Sequence, residues 1–435
     1  MQNVNPNPIT EVLQPKTGVV VKSRFWRRIL LFFMVWGPGL IVMEADNDAG
    51  AISTYTQAGG QYGLKLMWVL LLLLPITYIC QEMVVRLGVV TGKGHASMIY
   101  ERFGKWWGRF SLFDLELVNF MTLITEFAAV ALVSQQIGLS PYVAVPLAAL
   151  LLILMVGTGS YLNWERMAIV LSLGDAIWVL FAIAARAPAG ELLRSTFIPS
   201  VPASGITGSL IFLVIAIVGT TIAPWQLFFQ QSCIADKRLR YSNLFAAQLD
   251  TFTGAVFTIV VAGAMMILGY VLFRNQIPYQ DPAQMAAALN MGDIVKYGVM
   301  LLWVDAALLG ATAVSLASSW AWSEVTGWKN SLQDKIVQAP GFYAIYIGAV
   351  VLAGAFVLIP RAPLQLIIIG VQVLAGIILP VALVFLQILL NDKQVMGRYV
   401  NKPWQNVINW IIIGVLFVMS AALMLQSLFP NLFPA

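Results

Sequence analysis

The first apolar segment of the chain carries three carboxylates within five residues, Glu44, Asp46 and Asp48, with Gly50 close behind them. Charged side chains at membrane depth are costly, and those that occur there line ion or substrate pathways or pair with one another. Apolar residues and Gly37-Pro38-Gly39 flank the acids, which favours a position inside the segment over an outer loop. A helix that opens here would present acidic oxygens and backbone carbonyls to a cation, so the cluster predicts a cation site.

A second polar interruption lies in the sixth apolar segment, where Gly219, Thr220 and Thr221 precede Ala223 and Pro224. Proline removes a backbone donor and disfavours helix at the residue before it, so a break or a simple proline kink is expected. Breaks in segments one and six have the offset of a five-plus-five inverted repeat. Paired interrupted helices are the best sequence pointer to the central site of a transporter.

Asp48 is the hard anionic ligand expected at this site, and the unwound carbonyls of Ala45 and Thr220 would add neutral oxygens. Gln372 would supply an amide oxygen, although a helix-packing amide is the alternative. Oxygen ligands suit Mg²⁺, Ca²⁺ or Mn²⁺, and a roomy site suits Mg²⁺, which tends to keep its waters. The residues expected to shape the cavity are Ala49, Gly50, Ala51, Ala223, Pro224 and Trp225, of which the alanines leave room by being small.

The other acids in apolar segments leave more than one interpretation open. Glu44 and Asp46 are candidate pathway acids, or pore-lining groups that never touch the ion. Glu126 is a third candidate pathway acid, because a carboxylate within a membrane span is costly in free energy. A structural hydrogen bond to a neighbouring helix would explain its presence equally well. The sequence does not say which of three further acids lines the pathway: Asp175, Asp250 and Asp305.

Composition bounds the class of protein. The chain has 435 residues, of which 60% are hydrophobic and 10% charged, and its mean hydropathy is +0.83. These values exclude a soluble enzyme, a disordered chain and a DNA-binding module, and predict an all-α integral membrane protein. Continuous apolar runs near 20 residues exclude a porin-type barrel. A single histidine, His95, excludes zinc sites of the His/Cys kind, and Cys80 and Cys233 are expected to be small buried hydrophobes.

Eleven apolar runs predict eleven transmembrane helices. They cover roughly 28–57, 65–89, 111–136, 141–160, 165–187, 207–234, 243–274, 293–325, 339–359, 363–391 and 404–428. With the N-terminus inside, 19 Lys and Arg residues fall on the cytoplasmic side and 6 outside, which together are all 25 in the chain. This bias predicts a cytoplasmic N-terminus and an extracytoplasmic C-terminus.

The predicted organisation is a cytoplasmic tail, 1–24, and one transmembrane domain, 25–430. The domain divides into a first repeat (about 28–187), a second repeat (about 207–391) and an extra eleventh helix (about 404–428). The longest loops, near 187–206 and 275–292, are expected outside. Arg86, Lys93 and His95 are expected in solvated loops at the cytoplasmic edge.

The chain resembles the Nramp divalent-metal transporters, which have the LeuT-type fold. Gly37-Pro38-Gly39 and Gln57-Ala58-Gly59 resemble the family's first span. Residues 86–93, RLGVVTGK, resemble the segment after its second span, and residues 390–397, LNDKQVMG, the end of its tenth. The resemblance covers most of the chain and implies a transporter in the cell membrane, plasma or inner, with metal ions and the lipid bilayer as partners. No cofactor, nucleic acid or obligatory protein partner is expected, since the metal is the transported substrate.

Two departures from the family's motifs bear on the substrate. The first-span motif Asp-Pro-Gly-Asn aligns with Asp48-Ala49-Gly50-Ala51, and the sixth-span motif Met-Pro-His aligns with Ala223-Pro224-Trp225. A thioether ligand favours softer ions such as Mn²⁺ and Fe²⁺, so its loss removes that discrimination. The pattern is similar to the Nramp-related magnesium transporters, which implies import of partly hydrated Mg²⁺ and of Mn²⁺.

A third departure bears on proton coupling. The third-span pattern Thr-Asp-Leu-Ala-Glu aligns with Thr125-Glu126-Phe127-Ala128-Ala129, and Trp225 in place of the histidine cannot titrate. Weak or absent proton coupling is therefore expected. The alternatives are a proton-coupled Mn²⁺/Fe²⁺ symporter of the ordinary Nramp type and, with less support, an amino-acid-like permease on the same fold. A non-transporting scaffold would leave the broken helices unexplained. An intramembrane enzyme is the least favoured function, because the sequence offers no nucleophile–base arrangement or histidine pair.

Overall fold

The computed structural model describes residues 37–157, 159–203 and 205–428, and this part of the chain is helical throughout. The described residues form eighteen α-helices, which follow one another in chain order. The first nine are α1 (Pro38–Ala45), α2 (Ala49–Tyr62), α3 (Met67–Thr91), α4 (His95–Phe103), α5 (Lys105–Gln136), α6 (Pro141–Val156), α7 (Tyr161–Gly174), α8 (Ala176–Ala184) and α9 (Ala189–Phe197). The second nine are α10 (Gly208–Thr221), α11 (Pro224–Asp236), α12 (Leu244–Arg274), α13 (Pro282–Ala288), α14 (Asp293–Thr326), α15 (Pro340–Val357), α16 (Leu364–Asn391), α17 (Lys393–Met396) and α18 (Pro403–Leu428).

The helices follow the predicted apolar segments. Nine of the described helices are long and apolar enough to cross a membrane, counting α7–α8 and α10–α11 as one each. Helix α6 is apolar but has only 16 residues, and the start of the first predicted span, 28–36, lies outside the described residues. The all-helical membrane class is therefore confirmed, while the count of eleven spans stays a prediction. The tail 1–24 also lies outside the described residues.

Both predicted helix breaks are present. Helix α1 ends at Ala45 and α2 begins at Ala49, with Asp48 in extended conformation (φ −64°, ψ −175°) as the residue before it. Helix α10 ends at Thr221 and α11 begins at Pro224, with Ala223 extended (φ −89°, ψ 148°). Proline at the first position of α11 has no amide to donate, so the helix is interrupted there instead of running on.

Glycines let the broken helices pack closely on two long helices. A Cβ atom at Gly59 of α2 or at Gly269 of α12 would overlap the backbone of the facing helix. A Cβ at Gly219 of α10 would likewise overlap the backbone carbonyl of Gln372 in α16. Small residues at helix interfaces allow this approach between backbones in membrane proteins. The packing brings the first break against both α12 and α16, and the second break against α16.

The connections differ from the expected open loops. The segments 187–206 and 275–292 contain the short helices α9 and α13. At the opposite end, Arg86 and His95 are buried, which corrects the solvated-loop prediction for both, whereas Lys93 is exposed. Arg86 pairs with Glu82 at 3.1 Å, and an aromatic contact and a hydrogen bond hold His95. Cys80 and Cys233 are buried free thiols, as predicted.

Candidate metal site

Asp48 and Gln372 lie side by side at the first helix break. The Asp48 side chain is only 3% exposed, and its Oδ1 accepts a hydrogen bond from the Ala51 amide at 2.8 Å. A Cβ atom at Gly50 would overlap the Gln372 amide nitrogen and would lie 3.2 Å from Asp48 Oδ1. The amide of Gln372 can therefore lie this close to the Asp48 break only because residue 50 has no side chain.

The Gln372 amide is free to act as a ligand. Its Nε2 is buried and has no hydrogen-bond partner among the described residues. The oxygen and nitrogen of a glutamine amide are distinguished by their partners alone, and a half-turn of the group exchanges them. A cation beside Asp48 would favour the orientation that presents the oxygen.

The two predicted backbone ligands are carbonyls without their usual helical donor. In a continuous helix the Ala49 amide would donate to the Ala45 carbonyl, but here it donates to Glu126 Oε2 at 3.1 Å. Thr220 loses its donor because Pro224, four residues on, has no N–H. The Thr220 hydroxyl is also buried without a partner among the described residues. Both helix ends thus leave a backbone carbonyl oxygen without a helical donor, and each of these oxygens could coordinate an ion.

Glu126 reaches the site from α5. Its carboxyl group contacts that of Asp48, in addition to the bond from the Ala49 amide. Gly310 of α14 makes room for both acids: a Cβ atom there would lie 2.8 Å from Asp48 Cβ and 3.1 Å from Glu126 Cδ. Trp303 of the same helix donates its indole N–H to the Ala49 carbonyl at 3.1 Å. Gly310 and Trp303 were not found from the sequence, because a glycine and a tryptophan in an apolar helix carry no distinctive local signal.

Asp46 points toward α11 and α3. Its Oδ1 accepts a hydrogen bond from the Gln226 amide, and Gln226 in turn accepts one from Gln81 at 2.8 Å. The other oxygen of Asp46 has no partner among the described residues. The two glutamines escaped the sequence analysis, although a buried amide in an apolar segment was the available signal.

Glu44 has its contacts on another side of the break. It accepts a hydrogen bond from the Thr258 hydroxyl of α12 at 2.9 Å, and its carboxyl group contacts Asp175, which lies between α7 and α8. Asn47 makes a longer bond to it, at 3.5 Å. Glu44 is therefore bonded on the α12 side of the break and not to the Asp48 and Gln372 pair.

The remaining acids have separate positions. Asp250 accepts hydrogen bonds from the amides of Gly37 and Gly39 at the start of α1, the shorter at 2.7 Å. Asp250 therefore caps the N-terminus of α1. A carboxylate at this position accepts from the backbone N–H groups that have no partner within the helix, and it interacts favourably with the helix dipole. Asp305 lies beside Gly174, where an added Cβ would be 3.1 Å from its Oδ2.

The residues predicted to shape the cavity comprise small residues at the two breaks and one large aromatic residue. Ala49, Ala51 and Ala223 are buried small side chains at the two breaks, next to Gly50 and Pro224. Trp225 is also fully buried, but its ring packs against Phe229 at 5.9 Å between centroids. Trp225 thus belongs to an aromatic cluster.

Asp48 and Glu126 bring two carboxyl groups to the site, of which Glu126 is already bonded to the Ala49 amide. Among the described residues, no three or more Asp, Glu, His or Cys side chains converge in a group able to hold a metal. Asp48, Gln372 and the open helix ends instead offer one carboxylate and several neutral oxygens. That set matches hard divalent ions, which accept carboxylate, carbonyl and water ligands.

Comparison of the sequence with known proteins gives matches along nearly the whole chain. Residues 39–426 match the profile of the family described as natural resistance-associated macrophage protein-like, or Nramp. The divalent metal cation transporter MntH of Latilactobacillus sakei is 26% identical, over 96% of this chain and 94% of that protein. The MntH of Staphylococcus aureus is 25% identical, over 91% and 92%.

Solved structures match over a similar extent. A crystal structure of the Eremococcus coleocola manganese transporter superposes with a TM-score of 0.74 at 19% identity, covering 95% of this chain and 90% of that one. MhsT in complex with L-phenylalanine gives 0.63 at 14% identity, covering 93% and 99%. At these identities the likeness concerns the fold alone, and it confirms that this chain has the all-helical fold of these proteins.

Proposed function

The chain belongs to the Nramp family, whose members are transporters and not enzymes, and we propose that it carries divalent metal cations across a membrane. In its more specific form, the proposal is import of partly hydrated Mg²⁺, and also of Mn²⁺, with weak or no proton coupling. The metal is cargo, so the proposal includes no resident cofactor.

One observation supports this function above the others. Asp48 lies at an open helix end with the unpartnered amide of Gln372 against it. A buried carboxylate without a basic partner is costly, and a cation that binds there would remove that cost. Metal coordination by Asp48, Gln372 and the carbonyls of Ala45 and Thr220 is thus the use of these groups that we propose.

The residues at the second break support Mg²⁺. Ala223 stands where the family's motif has methionine, and it offers no sulfur to a soft ion. Its small side chain leaves space for retained waters, which Mg²⁺ releases reluctantly. Mn²⁺ accepts the same oxygen ligands, so we expect it to compete.

The proton-coupling proposal rests on missing titratable groups. Trp225 and Ala129 occupy positions where the family's pattern has a histidine and a glutamate. Glu126 remains, and its bond to the Ala49 amide gives it a structural use. Uptake would then follow the ion gradient and the membrane potential. A divalent ion gains about 4.6 kcal/mol across 100 mV, enough for accumulation on the order of a thousandfold.

A proton-coupled Mn²⁺/Fe²⁺ symporter is the second candidate. The names of the relatives favour it: they are divalent metal cation transporters, and one matched structure is a manganese transporter. An amino-acid-like permease is third, since the match to MhsT concerns a protein solved with L-phenylalanine. Asp48 disfavours the permease, because a substrate carboxylate needs donors at a half-helix end and would be repelled by an anion.

The proposed location is the cell membrane, plasma or inner, with the N-terminus in the cytoplasm. The excess of Lys and Arg on the predicted cytoplasmic side supports this orientation. Divalent ions and lipid are the partners proposed. No protein partner is part of the proposal.

Purified protein in liposomes with a trapped Mg²⁺-sensitive dye tests the function. Mg²⁺ entry that Asp48→Ala abolishes is the expected result, with Asp293→Asn, an exposed acid of α14, as the matched control. A trapped pH dye should show no acidification during Mg²⁺ entry. Entry of Mn²⁺ alone, with acidification, would establish the second candidate instead. Entry of neither ion through folded protein would refute metal transport.

A further inference from the structure

A cavity of about 230 Å³ lies beyond the metal site, toward the end of α2 that faces away from Asp48. Four glutamines and a tyrosine supply its polar lining: Gln57, Gln61, Tyr279, Gln280 and Gln365. Among the described residues, the lining includes no carboxylate and no basic side chain. Phe212, Leu366 and Ile369 supply the apolar remainder of the lining. The cavity therefore combines four amide groups and a phenol with an apolar wall, and its described lining carries no charge.

The spacing of the glutamines places this cavity directly above the metal site. Gln57 follows Gly50 by seven residues in α2, and Gln365 precedes Gln372 by seven residues in α16. Seven residues are two helical turns, about 10 Å, and return to the same face of each helix. The Gly50–Gln372 contact and the Gln57–Gln365 contact are thus two successive layers of one interface.

The outer layer is held shut by hydrogen bonds. Gln365 Nε2 donates to Gln57 Oε1 at 3.3 Å. Tyr279, in the connection between α12 and α13, places its hydroxyl 2.9 Å from Thr56 Oγ1 and donates to the Ser53 carbonyl at 3.2 Å. These bonds join α2 to α16 and to the connection that carries Tyr279, so they must break before α2 can separate from either.

The groups around the cavity match the outside of a hydrated ion. The waters bound to Mg²⁺ present O–H donors, and amide oxygens accept from them without adding charge. Gln365 Oε1 has no partner among the described residues and is available for this use. A neutral lining would hold an ion that keeps its waters and would release it easily to the anionic Asp48 below.

We propose an outer binding site for a hydrated divalent cation, formed by Gln57, Gln61, Gln280 and Gln365. The Gln57–Gln365 hydrogen bond separates this outer site from the metal site. The ion is bound there through its waters and reaches Asp48 when the bond opens. The inference rests on the proposed function and names a second binding site along the same path.

Hexaamminecobalt(III) is the probe, because it has the size of a hydrated Mg²⁺ ion and cannot exchange its ligands. Calorimetry on the purified full chain measures its binding, and the liposome assay measures how it inhibits Mg²⁺ entry. In Gln57→Leu/Gln365→Leu, the dissociation constant and the inhibitory concentration should both rise about tenfold or more. Gln135→Leu, an exposed glutamine at the end of α5, is the matched control and should leave both unchanged.

Two further variants separate the possible outcomes. Asp48→Ala should abolish Mg²⁺ entry and leave binding of the cobalt complex as in the wild type. Gln365→Glu should tighten that binding, since it places a negative charge against a trivalent ion. Wild-type binding by the double leucine variant, or loss of binding in Asp48→Ala, would overturn the outer site. Absence of ion entry in the wild type would refute the transport function alone, because calorimetry still decides the outer site.

Discussion

Glu126 Oε2 accepts a hydrogen bond from the Ala49 amide at 3.1 Å, across 77 residues of sequence. The bond satisfies the first amide of α2 and thereby keeps α1 and α2 from joining into one helix. The same contact sets a carboxylate beside Asp48. Glu126 therefore holds open the helix break on which the candidate metal site depends.

The structural use of Glu126 predicts different results for two substitutions. Glu126→Gln keeps an oxygen for the Ala49 amide, so we expect normal folding and Mg²⁺ entry close to that of the wild type. Glu126→Leu leaves a buried amide unsatisfied, which should lower stability by about 1–3 kcal/mol and reduce entry. Thermal unfolding and the liposome assay measure the two effects. Loss of entry in a well-folded Glu126→Gln variant would show that its negative charge acts on the transported ion.

A side chain at position 50 is expected to impair function by steric overlap. In Gly50→Ala the new Cβ would overlap the Gln372 amide, so we expect Gln372 to move away from Asp48 and Mg²⁺ entry to fall about tenfold or more. Adding Gln372→Ala should relieve the overlap and restore thermal stability without restoring entry. Gly348→Ala, at a helical glycine with open space around it, is the control. Recovery of entry in the double variant would remove Gln372 from the ligand set.

Ala223 predicts a change of ion preference. Ala223→Met would place a thioether at the second break, where a soft ligand favours Mn²⁺ over Mg²⁺. We expect the Mn²⁺ concentration that halves Mg²⁺ entry to fall about tenfold, equivalent to ~1.4 kcal/mol of differential binding. Ala235→Met, near the other end of α11, should leave the preference unchanged. An equal preference in wild type and Ala223→Met would mean that residue 223 does not face the ion.

His95 predicts a pH dependence of stability. Burial lowers its pKa to about 4, and its ring packs edge-on to Phe228 with Nδ1 2.9 Å from Gln231 Oε1. The folded state therefore favours the neutral ring, whereas the unfolded chain takes up a proton near pH 6.5. The contribution of His95 to the free energy of unfolding is fully present above that pH and is lost as the pH drops toward 4. At pH 5 the loss is about 2 kcal/mol.

The corresponding variant is His95→Gln, which keeps a hydrogen-bonding group beside Gln231 and does not titrate. Apparent melting temperatures at pH 7 and pH 5 give the comparison. The difference between them should be smaller in His95→Gln than in the wild type, because the carboxyl groups titrate alike in both. An unchanged difference would show that His95 is not protonated on unfolding in this range.

The sequence alone determined the class of protein and the two helix breaks, because their causes are local. Apolar runs near the thickness of a bilayer, Pro224 after two threonines, and acids inside an apolar segment each act through neighbouring residues. It also singled out Asp48 and Gln372, since a polar group at membrane depth is costly wherever its helix lies.

Only the tertiary structure decided which of those groups meet. Glu44, Asp46 and Asp48 lie within five residues, yet Glu44 bonds to Thr258, Asp46 bonds to Gln226, and Asp48 lies near Gln372, on three different helices. The roles of Gly310 and of the Gln57–Gln365 pair likewise depend on which residues face them from the neighbouring helices. The physical reason is that contacts between helices depend on their crossing and rotation. Helical periodicity states which residues share a face but not which partner that face will meet.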